Sequence, residues 1–225
     1  MENDMSILRV AGLGKRYAGR TIFSDVELEL QAGVYALRGK NGSGKSTLLK
    51  LLAGVVRPDA GVVEVSGHAI DRAADKAKAC IGYMPDSEEF YDFVTPSSVW
   101  RLIADARGTN LEQGLVTANR LGLTGYADEP LGALSQGTRR KVFLVGAFMG
   151  PPAVILLDEP SNALDAAAHA ELCRMIAAAA PTSVVLMSTH DAELVAATRA
   201  RILELTAHGI VLPSPSDVAM HVEQR

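Results

Sequence analysis

Hydrophobic and polar residues alternate with period two over much of the first thirty positions. Residues 26–30 read Val-Glu-Leu-Glu-Leu, and residues 7–15 mix apolar positions with charged neighbours in a similar way. Alternation of this kind is typical of strands with one buried and one solvated face, as in antiparallel sheets. A further short strand is predicted at 62–65, between turn signals on either side. The pattern therefore predicts an antiparallel β element at the N-terminus.

Later in the chain the apolar runs become continuous. Val-Tyr-Ala-Leu at 34–37, Val-Ile-Leu-Leu at 154–157 and Val-Val-Leu-Met at 184–187 are each followed by a helical pattern. Continuous apolar strands that alternate with helices indicate a parallel sheet covered on both faces. Residues 96–126 show helical spacing alone, which predicts a helical insert. The pattern as a whole predicts an α/β fold with these two additions.

A glycine-rich stretch separates the strand at 34–37 from a predicted helix at 46–53. Residues 39–47 read Gly-Lys-Asn-Gly-Ser-Gly-Lys-Ser-Thr, which fits the phosphate-loop spacing G-x-x-x-x-G-K-[ST]. Glycines let successive backbone N–H groups converge on an anion, and the following helix N-terminus adds positive potential. The alternative is a glycine-rich turn with a chance lysine, which the flanking strand and helix disfavour. The chain is therefore predicted to bind a nucleoside triphosphate through Gly39, Asn41, Gly42, Ser43, Gly44, Lys45, Ser46 and Thr47.

Two acids follow the apolar strand at 154–157. Asp158 and Glu159 are expected at the carboxyl end of a buried strand, where ligands bind in open α/β sheets. Beside a triphosphate, Asp158 and the Ser46 hydroxyl are suited to hold Mg²⁺, and Glu159 is suited to polarise an attacking water. The alternative is an acidic turn without function. It loses weight once the phosphate loop is considered.

Composition narrows the class of protein. The chain has 225 residues, of which 48% are hydrophobic and 21% charged, and this suits one globular domain with a sizeable core. Its formal net charge of -4 gives no global basic footprint, so nucleic acid is not expected as a partner. Cys80 and Cys173 lack metal-like spacing and are expected to be buried, unpaired thiols of a reducing compartment. Residues 1–4 do not resemble the start of a signal peptide, and the chain has no apolar run of the roughly 18 residues that a transmembrane helix requires.

Five further motifs occur in an order and spacing that cover nearly the whole chain. Leu-Ser-Gln-Gly-Thr at 134–138 lies before the acid-ending strand, Ser-Asn-Ala-Leu-Asp at 161–165 lies after it, and Ser-Thr-His-Asp at 188–191 follows the next strand. Gly-Tyr-Met-Pro-Asp at 82–86 and Tyr17 complete the set. Together with the phosphate loop, they resemble the nucleotide-binding subunit of ATP-binding cassette (ABC) transporters. The resemblance is to that family's signature motif, D-loop, switch histidine, Q-loop and adenine-stacking aromatic residue, in the order given.

The resemblance implies a fold and a function. The fold would be a P-loop nucleoside triphosphatase core with an N-terminal antiparallel β element and a helical insert. Residues 1–225 would form a single ABC ATPase domain, with 1–86 and 150–225 as the catalytic core and 87–149 as a helical subdomain that bears the signature motif. ATP and Mg²⁺ would be the cofactors, and two copies, or this chain and a second cassette, would pair head to tail around ATP. A separate chain would cross the membrane, and this subunit would lie in the cytoplasm on the inner face of the cell membrane. The Q-loop stretch and the compact size are closer to bacterial export-type systems.

The family's catalytic and signature roles transfer to matching positions. Glu159, His190 and Lys45 would be the catalytic residues, with Glu159 polarising water and the other two contacting the γ-phosphate. A histidine after a strand is often structural, but this one stands at the family's switch position. Ser135 and Gly137 would bind the γ-phosphate held by the opposite subunit, using a hydroxyl and backbone N–H groups at a helix N-terminus. The alternative for Ser135 is a simple helix cap.

Three other assignments follow from the resemblance. Tyr17 would stack on adenine, with Phe23 or Tyr35 as alternative stackers and a core position as the alternative for Tyr17 itself. The basic triplet at 139–141 would give the signature helix an anion-facing surface. Asp165 would cross the interface between two cassettes.

The chain departs from the family pattern at two motifs. The Q-loop position holds Asp86 where the family usually has glutamine, which adds a negative charge near Asp158 and Glu159. We expect Asp86 to approach Mg²⁺ in the closed state, so the predicted metal ligands are Ser46, Asp158 and Asp86. In the signature, Gln136 and Thr138 replace glycine and glutamine.

Two rival functions remain open at this point. The first is an ABC ATPase without a membrane partner that acts in repair or translation. Repair relatives usually carry a long coiled coil between the phosphate loop and the signature, and translation relatives usually carry two cassettes, neither of which occurs here. The second rival is a binding module that uses ATP as a dimerisation switch without significant hydrolysis. The presence of Lys45, Asp158, Glu159 and His190 argues against it.

Overall fold

The computed structural model describes residues 6–87, 90–206 and 209–211. The ends of the predicted domain, residues 1–5 and 212–225, lie outside the described residues. The described strands form two sheets. The first is antiparallel, with the order β2-β1-β4-β5, and is built from β1 (Leu8–Tyr17), β2 (Arg20–Leu30), β4 (Ala60–Val65) and β5 (His68–Ala69).

The second sheet has the order β10-β9-β3-β8-β7-β6. Only the pair formed by β9 and β10 is antiparallel, and the other pairs are parallel. Its strands are β3 (Gly33–Arg38), β6 (Ile81–Met84), β7 (Val154–Asp158), β8 (Val184–Ser188), β9 (Arg201–Thr206) and β10 (Gly209–Val211). Every residue of β7 and β8 is buried, as expected of parallel strands covered on both faces.

Seven α-helices and one 3-10 turn occur in the described part of the chain. The helices are α1 (Lys45–Leu52), α2 (Ala74–Ala79), α3 (Pro96–Arg107), α4 (Leu111–Arg120), α5 (Gln136–Phe148), α6 (Ala166–Ala179) and α7 (Ala192–Thr198), and the turn is Leu131–Ala133. These elements confirm the predicted α/β fold with its N-terminal antiparallel element and its helical insert.

Alternate residues of the central strands enter two separate cores. Val154 and Leu156 join the core that α1 forms with the antiparallel sheet. Ile155 and Leu157 join the core shared with α3, α5 and α6. The central strands β3, β7 and β8 are thus packed on both faces, which holds the loops at their carboxyl ends on a rigid support.

The helical insert begins with strong local signals. Thr95 caps α3 by accepting a hydrogen bond from the Ser98 N–H at 3.3 Å, and Pro96 occupies the first turn, where its missing N–H costs nothing. Trp100 is buried, and its indole N–H donates to the Val142 carbonyl at 3.0 Å. This bond joins α3 to α5, which is buried over most of its length and also packs on β6 and β7.

The two cysteines are free thiols, as predicted. Both are half-buried, so the expectation that they would be buried was wrong. Burial raises the pKa of the Cys173 thiol, and the negative charges of Asp191 and Glu193 raise it further.

The contact between β6 and α5 generates a stability prediction. A Cβ on Gly82 would lie 1.9 Å from the Ala147 carbonyl oxygen, so Gly82→Ala forces the strand and the helix apart. We expect a loss of about 1–3 kcal/mol or more in the free energy of unfolding, measured by chemical denaturation, because overpacking a tight contact costs that much.

Gly125→Ala is the matched control. A Cβ at Gly125 meets nothing within 4 Å, so this change should alter the free energy of unfolding by less than about 1 kcal/mol. Equal effects of the two substitutions would contradict the close packing of α5 on β6.

Candidate nucleotide-binding and catalytic site

The phosphate loop lies between β3 and α1, at the carboxyl edge of the parallel sheet. Gly44 has a φ of 101°, and a Cβ there would lie 2.8 Å from the Phe23 ring and 2.9 Å from the Ile22 side chain. Both the conformation and the contact therefore require glycine at this position. Gly44 is also the N-cap of α1 and supplies no side-chain cap, so the first N–H groups of the helix are not capped by a side chain.

Lys45 is buried and folds back across this loop. Its Nζ donates a hydrogen bond to the Gly39 carbonyl at 2.9 Å. The buried Ser43 hydroxyl has no protein partner. The first turn of α1 has no acidic residue, so the positive end of the helix is not neutralised locally. A lysine, a helix N-terminus and an unsatisfied hydroxyl together form a binding site for an anion.

The two acids at the end of β7 have different environments. Asp158 is 1% exposed, and its Oδ1 accepts a hydrogen bond from the Ser188 hydroxyl at 2.5 Å. Its Oδ2 is buried without a hydrogen-bond partner. Glu159 has a φ of 47°, a conformation that costs a non-glycine residue about 1–3 kcal/mol. Its N–H donates to the Ser188 carbonyl at 3.0 Å, which holds the residue at the sheet edge.

His190 completes this edge. Its Nε2 lies 3.6 Å from Glu159 Oε1, and the imidazole is largely exposed to solvent. Asp191, the next residue, caps α7 by accepting a hydrogen bond from the Leu194 N–H at 2.9 Å, which fixes the backbone beside the histidine.

These groups share one cleft with a volume of about 550 Å³. Its walls come from the phosphate loop, the ends of β7 and β8 and the loop after β6. The lining residues are Ile22, Asn41, Gly42, Gly44, Lys45, Ser46, Thr47, Asp86, Asp158, Glu159, Asn162, Ser188 and His190. Of the predicted phosphate-loop residues, all but Gly39 and Ser43 line this cleft, together with Asp158, Glu159 and His190.

The cleft is suited to a divalent cation. The unpartnered Asp158 Oδ2 is a buried anionic oxygen, and Ser46 and Asp86 line the same space. Three acids, Asp86, Asp158 and Glu159, line the cleft. Burial raises the pKa of the nearby Tyr83 above its usual range, and the charges of Asp158 and Asp86 raise it further. No group of three His, Cys, Asp or Glu among the described residues is arranged to hold a metal by itself.

Comparisons with known proteins agree with this geometry. The family model described as ABC transporter matches residues 23–162. The phosphonates import ATP-binding protein PhnC 1 of Natronomonas pharaonis is 33% identical over 159 residues, which is 68% of each chain. The chain belongs to the ABC transporter family. The predicted resemblance to its nucleotide-binding subunit is thereby confirmed.

Other ABC proteins match over different lengths. ATP-binding cassette sub-family A member 7 of Mus musculus is 35% identical over 128 residues, which is 55% of this chain and 6% of that protein. A solved ATP-binding subunit of an ABC transporter superimposes with a TM-score of 0.85 at 23% identity, covering 98% of this chain and 95% of the other. A dimeric cassette in a post-hydrolysis state with ADP and Pi superimposes with a TM-score of 0.79 at 21% identity, covering 90% of this chain and 96% of the other. These structural matches show the shared cassette fold.

The exposure of their rings distinguishes the three aromatic candidates for adenine stacking. Phe23 and Tyr35 are 4% and 2% exposed, so neither ring is available to a nucleotide. Tyr17 is 45% exposed at the end of β1, and the Lys15 ammonium lies 5.2 Å from its ring centroid. Tyr17 does not line the cleft itself, so its role as the adenine-stacking residue stays a prediction.

The signature residues lie outside the cleft lining of their own chain. Ser135 caps α5, accepting a hydrogen bond from the Thr138 N–H at 3.2 Å and sharing one with the Thr138 hydroxyl at 2.8 Å. A Cβ on Gly137 would lie 2.5 Å from the Ala163 carbonyl oxygen of the D-loop. The cap that sequence reasoning considered for Ser135 is thus present, and Gly137 is required by a contact within the chain.

The basic triplet of the signature helix does not form one anion-facing surface. Arg140 is buried and bonds to main-chain carbonyls. Lys141 donates to Asp165 Oδ2 at 2.6 Å. The expectation for these two residues was therefore wrong, because both side chains are directed to groups of their own chain.

Sequence reasoning missed two residues of this region. Ser188 holds Asp158 and Glu159, and a signal for it existed, since it ends the strand that precedes the histidine motif. Arg140 had no such signal, because a basic residue in the first turns of a helix usually faces solvent.

Asp165 carries a pH prediction. The hydrogen bond from Lys141 and the Ala168 N–H hold the pKa of this carboxyl below its usual range. A lowered pKa stabilises the fold above the unfolded value of about 3.9, and this contribution is lost as the pH falls through the folded value. Asp165→Asn should therefore lower the free energy of unfolding at pH 7 and have a smaller effect near pH 3, below the unfolded pKa, as measured by chemical denaturation.

Asp105→Asn, on an exposed position of α3, controls for the removal of one negative charge. An Asp165→Asn effect that is the same at both pH values would show that the ion pair with Lys141 does not stabilise the fold.

Proposed function

We propose that this chain is the ATP-binding and ATP-hydrolysing subunit of an ABC transporter, catalysing the reaction of ATP and water to ADP and phosphate. The observation that carries the proposal is the single cleft shared by the phosphate loop, Asp158, Glu159 and His190. Membership of the ABC family makes ATP the expected triphosphate. The proposed domain division keeps residues 1–86 and 150–225 as the catalytic core and 87–149 as the helical subdomain.

Each part of the cleft has a proposed role. The backbone N–H groups of residues 39–47 and the Lys45 ammonium bind the phosphates. His190 donates to the γ-phosphate, and Glu159 accepts a proton from the attacking water. Mg²⁺ would be held by Ser46 and Asp158, with Asp86 nearby, and would offset the negative charge shared by the phosphate oxygens.

A second cassette is proposed to complete the site. Ser135 and Gly137 carry the signature at the N-terminus of α5, yet they do not line the cleft of their own chain. Their hydroxyl and N–H groups are suited to a phosphate bound by another copy, in a head-to-tail pair. In this arrangement ATP lies between the two chains, so binding closes the pair and hydrolysis opens it.

A membrane-spanning partner on a separate chain is also proposed. No helix in the described ranges has the length and apolar character to cross a bilayer. Beside the Q-loop, Tyr91 and Phe93 are 74% and 75% exposed and stack with their ring centroids 5.4 Å apart, and Leu102 is 63% exposed. Exposed aromatic residues of this kind are enriched where proteins bind one another. The subunit would then lie on the inner face of the cell membrane. Export remains the predicted direction, although one relative is named as an import protein.

The catalytic assignment is tested with Glu159→Gln. We expect ATP binding to be retained and hydrolysis to fall by at least about 10²-fold, because a general base contributes roughly that much. With ATP present, the variant should accumulate as a dimer in size-exclusion chromatography.

Glu193→Gln, an exposed residue of α7, should hydrolyse ATP like the parent chain. A Glu159→Gln variant that hydrolyses ATP at the parent rate would contradict the assignment of Glu159 as the general base. A parent chain that binds ATP and dimerises without hydrolysis would favour the ATP-switched binding module.

The docking surface is tested with the double substitution Tyr91→Ala and Phe93→Ala. We expect at least a tenfold loss of copurifying membrane protein from detergent-solubilised native membranes, since truncation of interface aromatics often costs about 2 kcal/mol or more. Nucleotide binding should be unchanged, because both rings lie outside the cleft lining.

The matched control is Leu115→Ala with Val116→Ala on α4, where the side chains are 44% and 49% exposed. An equal loss of copurifying membrane protein in both double variants would show that the effect is not specific to Tyr91 and Phe93. Copurification of the parent chain with no membrane protein would favour an ABC ATPase of repair or translation.

A further inference from the structure

Arg140 is the most deeply buried arginine side chain of the described residues, at 1% exposure. Its guanidinium contacts three main-chain carbonyls in two separate segments, the Q-loop and the end of β7. Nη1 donates to the Asp86 carbonyl at 2.7 Å. Nη2 donates to the carbonyls of Asp158 at 3.1 Å and Glu159 at 2.5 Å. One side chain thus joins the Q-loop to the end of the catalytic strand.

The bonds to Asp158 and Glu159 act on a strained segment. Glu159 has a left-handed φ of 47°, and such a conformation persists only when its surroundings hold it. The Ser188 carbonyl holds the Glu159 N–H at 3.0 Å, and Arg140 holds the Glu159 carbonyl. The two contacts fix both peptide groups of Glu159, and therefore the backbone position and direction from which its side chain projects.

Arg140 also lies on the helix that presents the signature. It follows Ser135, the N-cap of α5, by less than two helical turns. A displacement of the start of α5 would therefore move the guanidinium and the carbonyls that it binds. The geometry provides a direct mechanical connection from the signature to Glu159.

Asp86 fits the same arrangement. Its Oδ1 lies 3.8 Å from Arg140 Nη1, so the acid at the Q-loop position faces a buried positive charge. The guanidinium offsets the charge that Asp86 adds to the cleft and ties the Q-loop to the same group.

We propose that Arg140 is a positioning residue that couples the signature helix to Glu159 and to the Q-loop residue Asp86. The inference rests on the proposed function, in which Glu159 is the catalytic base. Arg140 itself contacts no reacting atom in this proposal. It sets the orientation of Glu159 through the main chain.

Arg107 offers a matched control in the same fold. Like Arg140, Arg107 donates to three main-chain carbonyls, although it is only partly buried. The acceptors are the carbonyls of Gly146 at 2.8 Å, Met149 at 2.7 Å and Ile81 at 2.7 Å. Burial lowers the pKa of Arg107 to about 10. Arg107 is the last residue of α3 and contacts carbonyls at the C-terminal end of α5, opposite to the end that carries the signature, and it does not line the cleft.

The first experiment is amide hydrogen exchange on the full chain without nucleotide, comparing Arg140→Lys, Arg140→Gln and Arg107→Lys. Lysine keeps the charge but cannot reach three carbonyls with a planar fork. Both Arg140 variants should speed exchange of peptides covering 157–163 by about tenfold or more relative to Arg107→Lys, as expected of local opening. This result does not depend on whether the chain hydrolyses ATP.

The second experiment separates kcat from KM for ATP. Arg140→Lys should lower kcat by roughly 10–100-fold and leave KM within about threefold, because a misplaced base affects the chemical step more than ground-state binding. Arg107→Lys should lower the melting temperature with little effect on kcat.

The outcomes separate the two proposals. Unchanged exchange at 157–163, failure of both Arg140 variants to fold, or a kcat loss no larger than that of Arg107→Lys would overturn the role of Arg140. If the Arg140 variants exchange faster but the parent chain hydrolyses no ATP, the connection between the signature helix and Glu159 is supported. The proposed hydrolysis is then overturned.

Discussion

The whole site depends on the parallel pairing of β3, β8 and β7 in a register that ends the three strands together. Ser188 at the end of β8 pairs with Leu37 of β3 on one side and with Asp158 of β7 on the other. The chain leaves these strands at the phosphate loop, the acid pair and the histidine motif. Because the three strands run parallel and end at the same level of the sheet, this register places all three motifs at its carboxyl end.

Charge explains how the groups at this edge coexist. Three acids, Asp86, Asp158 and Glu159, line a cleft that also contains Lys45 and the N-terminus of α1. Lys45 and the helix N-terminus lie on the phosphate-loop side of the cleft. The buried guanidinium of Arg140 contacts the main chain of the three acids. The cleft therefore separates positive and negative potential across its width, as a site for a phosphate chain with a bound cation requires.

The sequence was informative wherever a local pattern determined the structure. The continuous apolar runs identified β3, β7 and β8, and the fixed spacing of residues 39–47 identified the phosphate loop. The position of Arg140 depended on contacts between elements far apart in the chain, and no periodicity reports such contacts. The choice among Tyr17, Phe23 and Tyr35 as the candidate for adenine stacking was open for the same reason, since only the packed structure shows which of them keeps an exposed ring.

The close approach of Gly137 to the Ala163 carbonyl affects how mutational data on this protein should be interpreted. Any side chain at position 137 meets its own D-loop, in addition to the nucleotide of a second cassette that we propose the signature binds. A loss of activity in a Gly137 variant would therefore combine two causes that a single substitution cannot separate. Substitutions of Ser135 are better suited to measuring a signature contact across an interface, because among the described residues its hydroxyl bonds only to Thr138, in the first turn of α5. Evolution would likewise be constrained at the glycine even in a cassette that never pairs.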